Sequence, residues 1–129
     1  MLLVKENMQQ YWNKVNNFSG FEHPSPNNFI RKQIEQFVLP NSHGDAFEIG
    51  CYPGTYLSIF GDAGYTLNGV DIYANVISME TSLQKRGYKT GSFFQSDFET
   101  FLPQQNYDVV SSFGFIEHFK TYKEIISSF

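Results

Sequence analysis

At 129 residues the chain has the length of one ordinary domain, enough to bury a core without disulfides or a structural metal. Its 41% hydrophobic and 17% charged content excludes global disorder, and a formal net charge of -4 without basic runs argues against nucleic-acid binding as the main task. Cys51, the single cysteine, excludes an intramolecular disulfide and offers no zinc-ligand spacing, which fits a reducing cytoplasm. The apolar run Leu2 to Val4 is too short for the core of a signal peptide, and no stretch approaches the length of a membrane span, so no metal site and no membrane insertion are expected.

Residues 1–24 are polar with scattered apolar anchors, Tyr11, Trp12, Val15 and Phe18, and read as a flap or short amphipathic helix. Ser25 and Pro26 supply an N-cap and a first-turn proline for a helix with Ile30, Ile34, Phe37 and Val38 at helical spacing, which ends near Pro40. Ala46 to Ile49 reads as a short buried strand stopped by glycine. A helix follows from about Gly54 to Ala63, with Leu57, Ile59, Phe60 and Ala63 apolar and Gly64 as its cap. Tyr65 to Ile72 predicts a second strand, and Asn75 to Arg86 a helix with Val76, Ile77, Met79 and Leu83 inward and Gly87 as its stop. A third strand is expected around Gly91 to Gln95. A fourth, Tyr107 to Phe113, is apolar enough to be covered on both faces, and Glu117 to Phe129 reads as a helix with Phe119, Tyr122, Ile125 and Ile126 on one side. Strands alternating with helices imply right-handed crossovers and a doubly wound α/β sheet, mostly parallel, with helices on both faces. Ligands of such sheets bind beyond the carboxyl ends of the strands, where the strand order reverses.

Gly50 and Gly54 bracket the turn after the first strand, where the backbone can approach a ligand closely. Glu48 lies two residues before Gly50; a carboxylate there gains nothing from a phosphate but attracts a ligand that carries an ammonium and a sulfonium. The dinucleotide fingerprint G-x-G-x-x-G fails, because its later glycines would fall at Tyr52 and Thr55. Asp71 ends the second strand 23 residues after Glu48, placed to accept hydrogen bonds from ribose hydroxyls or to cap the next helix.

The segment Glu48-Ile49-Gly50-Cys51-Tyr52-Pro53-Gly54 resembles motif I, the E/D-x-G-x-G-x-G signature of class I S-adenosylmethionine-dependent methyltransferases, with Tyr52 in place of the middle glycine. Asp97 and Phe98 resemble the family's adenine-binding positions, with Ile72 on the other face of the purine. Tyr107 to Phe119 resembles its fourth strand and the Glu117-His118 pair that opens the following helix. The resemblance covers residues 46–119. It implies a Rossmann-like sheet that binds S-adenosyl-L-methionine through Glu48, Gly50, Cys51, Tyr52, Gly54, Asp71, Ile72, Asp97, Phe98, Ser112 and Phe113. His118 is the candidate general base by residue type, since imidazole titrates near neutral pH. Asp97 reads equally well as a loop or cap residue and Phe98 as core. His23 and His43 read as surface residues without nearby partners.

The family's complete sheet has more strands than are read here. Residues 25–129 are therefore expected to be the cofactor-binding half of a methyltransferase domain, with strand four an edge open to self-association. The leading expectation is a methyltransferase acting on a small-molecule or saccharide-type acceptor. A non-catalytic fragment or partner subunit is the alternative, and an NAD-binding oxidoreductase is disfavoured by Glu48 and the glycine spacing.

Overall fold

The structure is a computed structural model that describes residues 21–38, 43–113, 120 and 122–129. Its elements run α1 (Phe29–Phe37), β1 (Asp45–Ile49), α2 (Leu57–Asp62), β2 (Thr66–Asp71), α3 (Val76–Lys85), β3 (Thr90–Gln95), β4 (Val109–Ser111) and α4 (Tyr122–Ser127). The strands form a parallel sheet in the order β3-β2-β1-β4. The chain thus winds outward from β1 through β2 to β3, then returns to the other side of β1. The strand order reverses between β1 and β4, and that is where such a sheet opens a crevice.

Local chemistry moved several predicted boundaries. The first helix is capped by Asn28 and not by Ser25, because the Asn28 side chain accepts the Arg31 N–H at 2.9 Å. Ser25 instead accepts the Asn28 N–H in the preceding turn. α2 starts three residues later than expected, at Leu57: Thr55 and Tyr56 form a turn whose Thr55 carbonyl accepts the buried Ser58 hydroxyl at 2.7 Å. Ile77, expected inward, points out at 54% exposure, and Phe37, on the apolar spacing of the first helix, is 82% exposed, since each helix buries a narrower stripe than its apolar content suggests. Strand four pairs over three residues only and stands at the edge of the described sheet, as expected, but Val110 is exposed, so the strand is not covered on both faces. The last helix is described from Tyr122 onward; residues 114–119, and with them the second half of the segment from Tyr107 to Phe119, lie outside the described residues.

Two apolar clusters sandwich the sheet. On one face Ala46, Leu67 and Phe93 meet Leu57, Ile59 and Phe60 of α2 and Val76, Met79 and Leu83 of α3. On the other, Phe47, Ile49, Val70 and Phe98 meet Ile125 of α4. Phe47 is fully buried there, its ring centroid 4.5 Å from that of Tyr107 and 5.0 Å from that of Phe129. Burial of such a side chain stabilises by about 1.5–3 kcal/mol, so these aromatics hold the chain's last residues against the sheet.

Residues 21–24 are strapped to the first face. Arg86 donates to the Phe21 carbonyl at 2.7 Å and stacks over its ring at 3.9 Å. His23, expected to have no partner, sits 3.0 Å from Asp62, which also receives Arg31 at 2.7 Å and the Tyr88 hydroxyl at 2.8 Å. Burial and that bond to Asp62 push the Tyr88 hydroxyl up to about 12. The network joins the strap, α1, the end of α2 and the turn before β3, which the chain order alone does not show.

Candidate functional site

The carboxyl end of β1 leads directly into the glycine turn. Gly50 takes a φ of 77° and donates its N–H to the Val70 carbonyl at 2.8 Å, which folds the turn back against β2. Cys51 then turns inward, fully buried, into the space left by Gly69: a Cβ on Gly69 would lie 2.6 Å from the Cys51 sulfur. Burial pushes the Cys51 thiol well up, with smaller contributions from the charges of Asp71 and Glu48. Cys51 is thus a small core residue under the turn.

Gly54 closes the turn at a φ of 103°, which L residues rarely adopt, and a Cβ there would meet Met79 at 3.3 Å and Phe21 at 3.4 Å. Gly54→Ala is therefore expected to cost about 1–3 kcal/mol in urea unfolding. An unchanged midpoint would show that the turn relaxes freely.

Asp71 binds the turn to the end of β2. One carboxylate oxygen accepts the Tyr52 N–H and the other the Tyr73 N–H, both at 2.9 Å. The side chain therefore holds the glycine turn and caps the approach to α3 at once, with the Ile72 N–H as a third backbone donor to it. Burial raises its pKa above the ordinary carboxylate range despite these bonds, which pull the other way. Tyr52, in the position of the middle motif glycine, packs its ring against Tyr73 with centroids 4.5 Å apart, so the substituted position forms one side of an aromatic pair beside Asp71.

Glu48 is the most unusual group. It is 3% exposed on β1, and its Oε1 has no hydrogen-bond partner among the described residues. Burial pushes its carboxyl well above the ordinary range, and the charge of Asp71 adds to the effect. A buried acceptor left without a donor costs about 1–3 kcal/mol, which a fold retains where something else supplies the donor. Ser111, opposite Glu48 in the pairing of β1 with β4, has a buried Oγ that is likewise unpartnered among the described residues. No sequence pattern singled out Ser111; only the strand register brings it beside Glu48.

The remaining predicted site residues divide by environment. Asp97 accepts the Glu99 N–H at 3.0 Å, a turn-capping bond, while the Ser96 N–H donates to the Asp71 carbonyl at 3.0 Å and brings this loop to the end of β2. Phe98 is buried in the second apolar cluster, with Ile72 packed against it. Ser112 and Phe113 follow β4 at the reversal, and Phe113 packs its ring 5.0 Å from that of Tyr56. Glu48, Gly50 to Gly54, Asp71 and Ser112 thus converge on the carboxyl ends of β1, β2 and β4. His118 and Glu117 lie outside the described residues.

A parallel α/β sheet with a glycine turn after β1, an acid closing β2 and a strand-order reversal between β1 and β4 is the architecture of nucleotide-cofactor-binding folds. A family model for the methyltransferase domain matches residues 21–129, and the chain belongs to that family, whose members use S-adenosylmethionine. Among solved structures it is similar to coclaurine N-methyltransferase bound to N-methylheliamine and SAH, with a TM-score of 0.64 at 14% identity over 77% of this chain and 30% of that one. It is also similar to magnesium protoporphyrin IX methyltransferase from Synechocystis PCC 6803 with bound SAM, with a TM-score of 0.64 at 19% identity over 96% of this chain and 69% of that one. A structure concerned with conversion of a disulfide bond into a thioacetal group in echinomycin biosynthesis aligns with a TM-score of 0.60 at 19% identity, over 82% of this chain and 46% of that one. At these identities the likeness is one of fold. The chain spans less than half the length of the first and third of these structures. No curated protein sequence matches it. Among the described residues no helix is long and apolar enough to cross a membrane.

Proposed function

We propose that the chain binds S-adenosyl-L-methionine at the β1/β4 reversal and serves methyl transfer to a small-molecule or saccharide-type acceptor. The observation that carries the reading is the buried, unpartnered carboxylate oxygen of Glu48 at that reversal. The cofactor is cationic at its ammonium and its sulfonium, and a buried acid is stabilised in its ionised form by such a neighbour. In this reading the glycine turn, Gly50 to Gly54, lies against the methionine part, and the remaining acceptor capacity of Asp71 takes the ribose hydroxyls. Ile72 and the Asp97–Phe98 loop border the adenine, with Phe98 contributing mainly its backbone because its ring is core. Ser112 and Phe113 border the transferable methyl group, and His118 is the proposed general base. Bound, the cofactor supplies an electrophilic methyl group; the chain's own part is to orient it and exclude water.

A small acceptor is supported by the low basic content of the chain and by the small molecules that the N-methyltransferase and the porphyrin methyltransferase are named for. Residues 25–129 are proposed as the cofactor-binding half of the domain. The open edge of β4 supports a second reading, in which this half pairs with another polypeptide or another copy of itself. A buried single cysteine suits a reducing cytoplasm.

Calorimetric titration of the chain with S-adenosylhomocysteine and with NAD tests the reading. Saturable binding of the first and none of the second is expected. A folded chain that binds neither, or binds NAD alone, would overturn it.

A further inference from the structure

Of residues 21–24, Phe21 and Pro24 are buried while Glu22 and His23 are exposed. The carbonyls of the two buried residues are each taken by an arginine: Arg86 donates to Phe21 at 2.7 Å and Arg31 to Pro24 at 3.1 Å. These anchors stand on different elements. Arg86 caps the end of α3, and Arg31 lies within α1, itself fixed by Glu35 at 2.9 Å and Asp62 at 2.7 Å. The Arg86 guanidinium also lies 3.9 Å from the centroid of the Phe21 ring. A short segment pinned at both ends by charged donors does not slide, and the stacked guanidinium fixes where the Phe21 ring points.

That ring lands on the glycine turn. A Cβ on Gly54 would meet the Met79 sulfur at 3.3 Å and the Phe21 ring at 3.4 Å, so these two side chains form the bed on which Gly54 rests. Bonds to Val70 and Asp71 hold the turn at Gly50, Cys51 and Tyr52. They do not reach Gly54, whose carbonyl accepts the Ser58 N–H at 3.0 Å at the start of α2. The flank of Gly54 that lacks a side chain is therefore placed by packing. Glycines at φ of 77° and 103° bring backbone freedom to the turn, and a ligand that needs one shape binds more weakly to a chain that populates several.

We propose that Arg86 is a positioning residue for cofactor binding: it holds the Phe21 ring against Gly54 and so sets the far end of the glycine turn. This rests on the cofactor reading above and extends it to a residue at the C-terminal end of α3, outside the motif positions. Arg86 acts through Phe21, so its effect on affinity exists only while the ring is present.

A double-mutant cycle tests that dependence. Binding of S-adenosylhomocysteine by calorimetry, together with the urea midpoint, is measured for the full chain, Arg86→Ala, Arg86→Lys, Phe21→Ala and the double alanine variant. Arg86→Ala is expected to bind about 5-fold or more weakly while remaining folded. Arg86→Lys keeps a charged donor without the stacked plane and should fall between it and wild type. Phe21→Ala should weaken binding at least as much, and adding Arg86→Ala to it should change affinity no further. Phe21→Leu, which keeps an apolar side chain without the flat ring, replaces the alanine variant if that chain does not fold. A lower urea midpoint with unchanged affinity would make Arg86 a structural residue, and losses that multiply in the double variant would show that it does not act through Phe21; each overturns the proposal. If the folded wild-type chain binds no S-adenosylhomocysteine, the cofactor reading falls too, whereas equal binding by wild type and Arg86→Ala removes the role of Arg86 alone.

Discussion

Replacing Asp71 by alanine is expected to lower the stability of the chain by about 2–4 kcal/mol and to remove measurable binding of S-adenosylhomocysteine. The Asp71 oxygens accept the Tyr52 and Tyr73 N–H groups, with a further contribution from the Ile72 N–H, and these donors lose their acceptor together. An unsatisfied, largely buried donor costs about 1–3 kcal/mol, and relief from burying a carboxylate offsets part of the sum. The loss extends to the site because Tyr52 lies within the glycine turn: without its anchor, the turn is no longer held against β2. Asp71→Asn keeps the shape and one acceptor oxygen, so it should retain more than half of the lost stability. Urea unfolding monitored by circular dichroism measures the first effect and calorimetry the second. An Asp71→Ala chain with wild-type stability would mean that the turn is held by the Gly50 and Cys51 bonds to Val70 alone.

Glu48→Gln is expected to move stability and affinity in opposite directions. The carboxyl of Glu48 is held well above the ordinary range, chiefly by burial and further by Asp71, so the folded chain retains a proton there that the unfolded chain releases. Between those two pKa values the unfolded state binds fewer protons, and stability falls as pH rises, by up to about 1.4 kcal/mol per pH unit for one group. The contribution is intact below the unfolded carboxylate range and is lost as pH climbs through the folded value. Glutamine removes this dependence, so the ligand-free variant should overtake wild type as pH increases from 5 to 8. A shallower slope of the same sign should remain, because burial also raises the pKa of Asp71. Affinity for S-adenosylhomocysteine should fall about 10-fold or more, since an amide cannot offer charge to an ammonium. Parallel pH–stability curves for the two proteins would refute the buried-acid account of this site.

Much of the frame was legible because its signals are local. The alternation of short apolar runs with helical stripes placed β1, β2 and β3 within about two residues of their observed bounds, as boundary-setting glycines allow. Gly64 and Gly87 end α2 and α3 as expected, with φ of 97° and 91°. The choice between Ser25 and Asn28 as helix cap was not legible. Both residue types cap well, and only the geometry of the preceding turn aims the Asn28 oxygen at the Arg31 N–H. The exposure of Phe37 and Ile77 was not legible for a related reason: helical periodicity names an apolar face but not how much of it a neighbouring element covers.

By itself the sequence determined the α/β alternation, the glycine turn with its acid two residues before it, and the second acid at the end of β2. Each depends on chemistry carried within a few residues. The tertiary structure alone decided that Asp71 ties the glycine turn to the end of β2 through backbone bonds, that Phe98 is core, that His23 joins an ion network, and that Ser111 stands beside Glu48. Those relations pair residues distant in the chain, and strand register and packing set which of them meet.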